Sequence, residues 1–135
     1  MIDVIKSHYK NIGKFGLVGI LNTALDFLVY YILTHFFGIY FIFAHVCSFF
    51  IAATNSFFLN ALWTFKNLKR NQIFKQIFRF ILIAVIGLGI STIAITIAEQ
   101  VVENIYIAKI LATCVTFLWN YTGSFLFVFR RNDTE

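Results

Sequence analysis

The chain has 135 residues, 60% hydrophobic and 13% charged, with no proline, a mean hydropathy of +0.82 and a net charge of +5. A chain this short exposes much of its surface, and so few charges do not keep such a surface in water, which excludes an ordinary soluble domain. Composition therefore points to an integral membrane protein, all-α and of one domain over residues 1–135.

A helix needs about 20 apolar residues to cross the hydrocarbon, and four windows qualify. Lys6, Lys10 and Lys14 precede the first, about 15–37. It is too long, and too poor in a small-residue cleavage site, for a removable signal peptide. Gly19, Asn22 and Asp26 follow one another at about one turn and share a face. A buried carboxylate costs roughly 2.5–3.5 kcal/mol on insertion scales. Asp26 therefore reads either as a neutral packing group bonded to a neighbouring asparagine or as part of a substrate or proton site. "HFFGIY" (His35–Tyr40) makes the turn into the second window, about 41–65.

The second window carries His45, Ser48, Ala52, Asn55, Ser56 and Asn60, a weak polar stripe. His45 has no histidine or cysteine at i+3 or i+4, so it reads as an interfacial histidine rather than a metal ligand; no metal and no cofactor is expected. Cys47, with Cys114 in the fourth window, reads as a reduced, packed thiol. Beyond Lys66, Lys69 and Arg70, residues Ile73, Phe74, Ile77 and Phe78 recur at helical spacing against Gln72, Lys75, Gln76 and Arg79. That pattern predicts a short amphipathic helix lying on the cytoplasmic leaflet.

The third window, about 80–98, offers Gly87, Ser91, Ala94 and Ala98, and "EQVVEN" (Glu99–Asn104) turns into the fourth, about 105–129. Here Lys109, Thr113, Thr116, Asn120, Gly123 and Ser124 keep one side polar; Lys109 to Asn120 is three turns, about 16 Å. Arg130 and Arg131 follow. Ten of the eleven lysines and arginines fall on one side of the predicted membrane, so both termini are expected in the cytoplasm. That distribution also removes nucleic acid as a partner. Lys109 is the exception on the outer side, either a snorkelling side chain or an anion-binding group.

The chain repeats itself. Trp63-Thr64-Phe65-Lys66 aligns with Phe127-Val128-Phe129-Arg130, and the same register sets Ser56 on Asn120 and Ala44-His45 on Ala108-Lys109. One residue further, Lys14-Phe15 meets Arg79-Phe80. The match reads either as convergence, since any returning helix needs aromatics and a cation at its exit, or as a duplication, two helical hairpins of one design running parallel, related by an axis along the membrane normal.

"FGLVGILNTALDF" (Phe15–Phe27), "NSFFLNALWTFK" (Asn55–Lys66) and "LWNYTGSFLFVFR" (Leu118–Arg130) resemble the GtrA-like family of small four-helix bacterial membrane proteins. The resemblance implies translocation of a polyprenyl-phosphate-linked monosaccharide across the bacterial cytoplasmic membrane, for glycosylation of a teichoic acid or O-antigen type of polymer. It implies a membrane glycosyltransferase as partner. Four helices make a thin wall, so a homo-oligomer or that complex is expected. Asn22, Asp26, Asn55, Asn60, Trp63 and Phe65 match the family pattern in the first half, and Arg79, Lys109 and Asn120 in the second. The chain departs at Gly123-Ser124, where many relatives place an asparagine. No nucleophile–base pair, carboxylate cleft or glycine-rich phosphate loop appears, so no enzyme is expected. Two rivals remain: a small proton-coupled multidrug-type transporter resting on Asp26, and a non-transporting scaffold subunit of a glycosyltransferase.

Overall fold

The computed structural model describes residues 2–130, with the side chains of residues 2–4, 95, 99, 105 and 106 outside the described set. Arg131 lies outside it too. Four α-helices account for most of the chain: α1 (Ile2–His35), α2 (Phe41–Leu59), α3 (Ile73–Val101) and α4 (Ile105–Gly123). No strand occurs among the described residues. All four helices are long and apolar enough to cross a membrane, and large apolar side chains such as Phe27, Phe43, Leu88 and Ile110 stand exposed along them. Such surface belongs in lipid.

The chain divides into two compact units, Met1–Leu68 and Lys69–Glu135. In the first, α1 packs on α2. Lys14 reaches Trp63, Phe15 meets Phe65 and Tyr30 meets His45, so the two helices run antiparallel. α1 ends where Gly38 takes φ +62° and the Ile39 amide donates to the Leu33 carbonyl at 3.0 Å. The helix thus closes on a glycine in the left-handed conformation that glycine tolerates best. In the second unit α3 packs on α4. Arg79 reaches Phe127, Phe80 meets Phe129 and Trp119 reaches Ile83, and this pair is antiparallel as well.

Three expectations change. The first helix starts well before residue 15: its 34 residues span about 50 Å, more than the roughly 30 Å of hydrocarbon. Lys6, Lys10 and Lys14 therefore lie on the helix rather than before it. The amphipathic segment does not form a helix of its own. After one 3₁₀ turn at Arg70–Gln72, residues 73–79 are the first two turns of α3. With no glycine between residue 73 and Gly87 and no proline anywhere, nothing stops the helix there. Gln76, expected on the wet face, is buried. The turn at 99–104 shortens because α3 continues to Val101.

Both returning helices end alike. α2 passes into a π-helical segment at Asn60–Thr64 and α4 into another at Ser124–Val128. The Phe65 amide donates to the Asn60 carbonyl at 2.8 Å, and the Phe129 amide to the Ser124 carbonyl at 2.9 Å. These are the i→i−5 bonds of a π turn, at matching positions of the repeat. In each unit a cation from the preceding helix reaches a carbonyl of this wide turn. Lys14 Nζ donates to the Trp63 oxygen, and Arg79 Nη1 to the Phe127 oxygen, both at 3.3 Å.

Candidate functional site

The second unit holds a cavity of about 740 Å³. Its rim is cationic, with Lys69, Lys75, Arg79 and Arg130, and no acidic side chain lines it among the described residues. Its wall is apolar, from Leu82, Ile83 and Ile86 on α3 and Trp119, Leu126 and Phe127 on the returning strand of chain. Residues 75, 79, 82 and 86 step by four, three and four along one face of α3, so a single helix face runs from charge to hydrocarbon. The π segment shapes the opposite side.

Local bonds fix this shape. Gln76 is only 3% exposed. Its Oε1 accepts the Lys69 amide at 2.9 Å and its Nε2 donates to the Val128 carbonyl at 3.1 Å. It thereby ties the entry of α3 to the exit of α4. The Trp119 indole donates to the Ile83 carbonyl at 3.0 Å, which holds the ring against α3. Arg79 uses one donor on Phe127, and a guanidinium carries five.

The predicted site residues separate. Arg79 lies in the cavity. Asn120 lies deeper between α3 and α4. A Cβ placed on Gly87 would stand 2.5 Å from Asn120 Oδ1, so Gly87 makes room for that amide. Lys109 is exposed near the other end of α4, beside Ile110, Thr113 and Cys114. Asn22, Asp26, Asn55 and Asn60 belong to the first unit. Asn60 is 1% exposed; its Nδ2 donates to the Ser56 carbonyl at 3.0 Å, and its Oδ1 accepts Thr64 at 2.9 Å. Its amide is thus engaged where α2 widens into the π turn. The hydroxyls of the α4 stripe are engaged too: Thr113 donates to the Lys109 carbonyl and Thr116 to that of Ala112, each at 2.8 Å. Cys47 and Cys114 are free and exposed rather than packed.

Three polar oxygens remain buried without a hydrogen-bond partner among the described residues: Asn22 Oδ1, Asp26 Oδ1 and Asn120 Oδ1. Each is an acceptor, and each belongs to a residue singled out in the sequence. A buried acceptor left alone costs roughly 1–3 kcal/mol, and native structures keep few of them.

Sequence reasoning did not single out Lys69, Gln72, Lys75, Trp119 or Arg130 as a site. The cations read there as a topology signal. Their one usable sign was spacing, since Lys75, Arg79 and Leu82 share a helix face.

Helix count, apolar exterior and paired antiparallel helices define a multi-pass membrane protein. The pattern of the family described as "GtrA/DPMS, transmembrane domain" matches residues 14–129. The chain belongs to that family, a glycosylation-related and generally non-catalytic class of membrane proteins. It is 30% identical over 125 residues to the "Uncharacterized membrane protein YngA" of Bacillus subtilis (strain 168), covering 93% of this chain and 83% of that protein.

Proposed function

We propose that the protein carries a polyprenyl-phosphate-linked monosaccharide between the leaflets of the bacterial cytoplasmic membrane, serving cell-surface polysaccharide synthesis. The observation that carries this reading is the cavity of α3 and α4, with four cations above an apolar wall. A lipid-linked sugar phosphate has that division of chemistry. Arg79, with Lys75 and Arg130, meets the phosphate in charge-assisted bonds. Leu82, Ile86 and Trp119 meet the first units of the chain, whose remainder stays in lipid. The exposed Gln72 amide lies beside the sugar hydroxyls. The rim repels a cationic drug, which disfavours the multidrug reading.

The unpartnered acceptors support passage of a hydroxylated headgroup. Asn22, Asp26 and Asn120 present oxygens without donors in spanning helices, and sugar hydroxyls are donors. Lys109, near the other end of α4, supplies a further cation for the phosphate. On this reading both termini are cytoplasmic, and a membrane glycosyltransferase delivers the substrate.

Binding of a short-chain polyprenyl-phosphate sugar to the detergent-solubilised protein tests the reading. A charge-assisted phosphate contact is worth roughly 1.5–3 kcal/mol. Arg79→Gln should therefore weaken binding about ten- to hundredfold and Arg79→Lys much less. Polyprenyl phosphate should compete, and the uncharged polyprenol should not. Equal competition by the alcohol would remove the phosphate role.

A further inference from the structure

Much of the sequence that lines the cavity of the second unit recurs in the first. In the register that aligns Lys14 with Arg79, Lys10 takes the place of Lys75, Leu17 of Leu82 and Leu21 of Ile86. In the register that aligns Trp63 with Phe127, Lys66 takes the place of Arg130 and Leu62 of Leu126. Three of the four rim cations and part of the apolar wall are thus kept in kind.

The geometry is kept too. Lys14 holds the Trp63 carbonyl at the same 3.3 Å at which Arg79 holds that of Phe127. The Phe15 and Phe65 rings lie 6.0 Å apart at 60°, and those of Phe80 and Phe129 lie 6.2 Å apart at 60°. The π turns match, and Val18 and Ile83 are buried at matching positions. Lys14 also stands 5.2 Å from the centre of the Trp63 ring. The stripe of residues 10, 14, 17 and 21 on α1 therefore runs beside the exit of α2, as its counterpart runs beside the exit of α4.

Several positions differ in chemistry: Lys69 falls against Val4, Gln72 against Ser7, Val128 against Thr64 and Trp119 against Asn55. The half-buried Asn55 amide stands where Trp119 walls the second cavity.

We infer that the first unit binds a second phospholipid headgroup, one bearing hydroxyls, at Lys10, Lys14, Lys66, Asn55 and Trp63. This rests on the reading of the second cavity as a lipid-phosphate site, and it doubles that site rather than relocating it. The cations meet the phosphate and Leu17 and Leu21 the acyl or prenyl chain. Asn55, an amide that both donates and accepts, selects a hydroxylated head, where the indole of Trp119 offers a hydrophobic face.

The chain has two tryptophans, one at each site, so fluorescence reads the sites separately. Trp119→Phe leaves Trp63 as reporter and Trp63→Phe leaves Trp119. Full-length protein in neutral detergent is titrated with short-chain phosphatidylinositol, phosphatidic acid, phosphatidylcholine and inorganic phosphate. Trp63 should respond to phosphatidylinositol at several-fold lower concentration than to phosphatidic acid, and Asn55→Leu should remove that preference. Lys10→Gln with Lys66→Gln should weaken the Trp63 response at least tenfold and leave that of Trp119 unchanged; Lys75→Gln should do the reverse. Both altered lysines of the first unit are exposed, which spares the packing around Lys14. A response of Trp119 alone overturns the second site and leaves the proposed function standing. A Trp63 response that survives the double lysine change, or that inorganic phosphate alone produces, also overturns it. Silence of both tryptophans removes the lipid-phosphate reading altogether.

Discussion

Asn120 and Gly87 fit as a pair, because the amide occupies the volume a side chain on Gly87 would fill. Gly87→Ala should destabilise the protein by about 1–3 kcal/mol through overpacking. Adding Asn120→Ala should recover most of that, a coupling readable in a double-mutant cycle of unfolding in detergent. Additive losses would mean that the two residues do not share that space. The repeat sets Asn22 against Gly87 and Ser56 against Asn120, so each helix pair carries one asparagine at this level, from opposite helices. Lys66 shows a different tension. It adopts φ +52°, a conformation in which glycine is easiest, and the Asn67 amide behind it closes on the Ala61 carbonyl at 3.0 Å. Lys66→Gly should raise stability by roughly 1 kcal/mol while weakening anionic-lipid binding. A variant that gains stability and keeps full binding would show that the charge has no role.

At the level of elements, the π segments and the start of α3 decide whether the cavity exists. Gln76→Leu would leave the Lys69 amide and the Val128 carbonyl without the partner that joins them. The expected cost is about 1–3 kcal/mol in a denaturation series. Loss of lipid binding should accompany it, and unchanged stability would contradict the tie. The existence of four spans and the turn at residues 35–40 were legible in the sequence because apolar length and a glycine at residue 38 are local signals. The continuity of residues 73–79 with α3 was less so. Their amphipathic pattern was visible, but the absence of any helix breaker outweighs it. The π turns were not legible, since widening from i→i−4 to i→i−5 depends on packing against the facing helix. For the same reason Gln76 read as a solvated residue, although the antiparallel partner buries it. Asn120 and Asp26 stood out as polar residues in apolar windows. That their oxygens lack donors is a fact of packing, invisible in one dimension.

For the whole molecule, the resemblance between the two units extends from sequence to local geometry. Two copies of one cation–carbonyl latch, one ring pair and one π exit recur in the two units, and in the second unit they border the cationic, apolar-walled cavity. Membership of the GtrA/DPMS family places the chain in membrane glycosylation, and the groove proposes what it handles there. A scaffold would need the packing but not the polar oxygens or the rim charges. The direct measurement is leaflet exchange of a fluorescent short-chain polyprenyl-phosphate sugar in vesicles containing the purified protein. Exchange should run well above that of protein-free vesicles, and both Arg79→Gln and Asp26→Leu should slow it at least tenfold at equal incorporation. Exchange no faster than in empty vesicles, or a full rate in both variants, would contradict translocation through these residues.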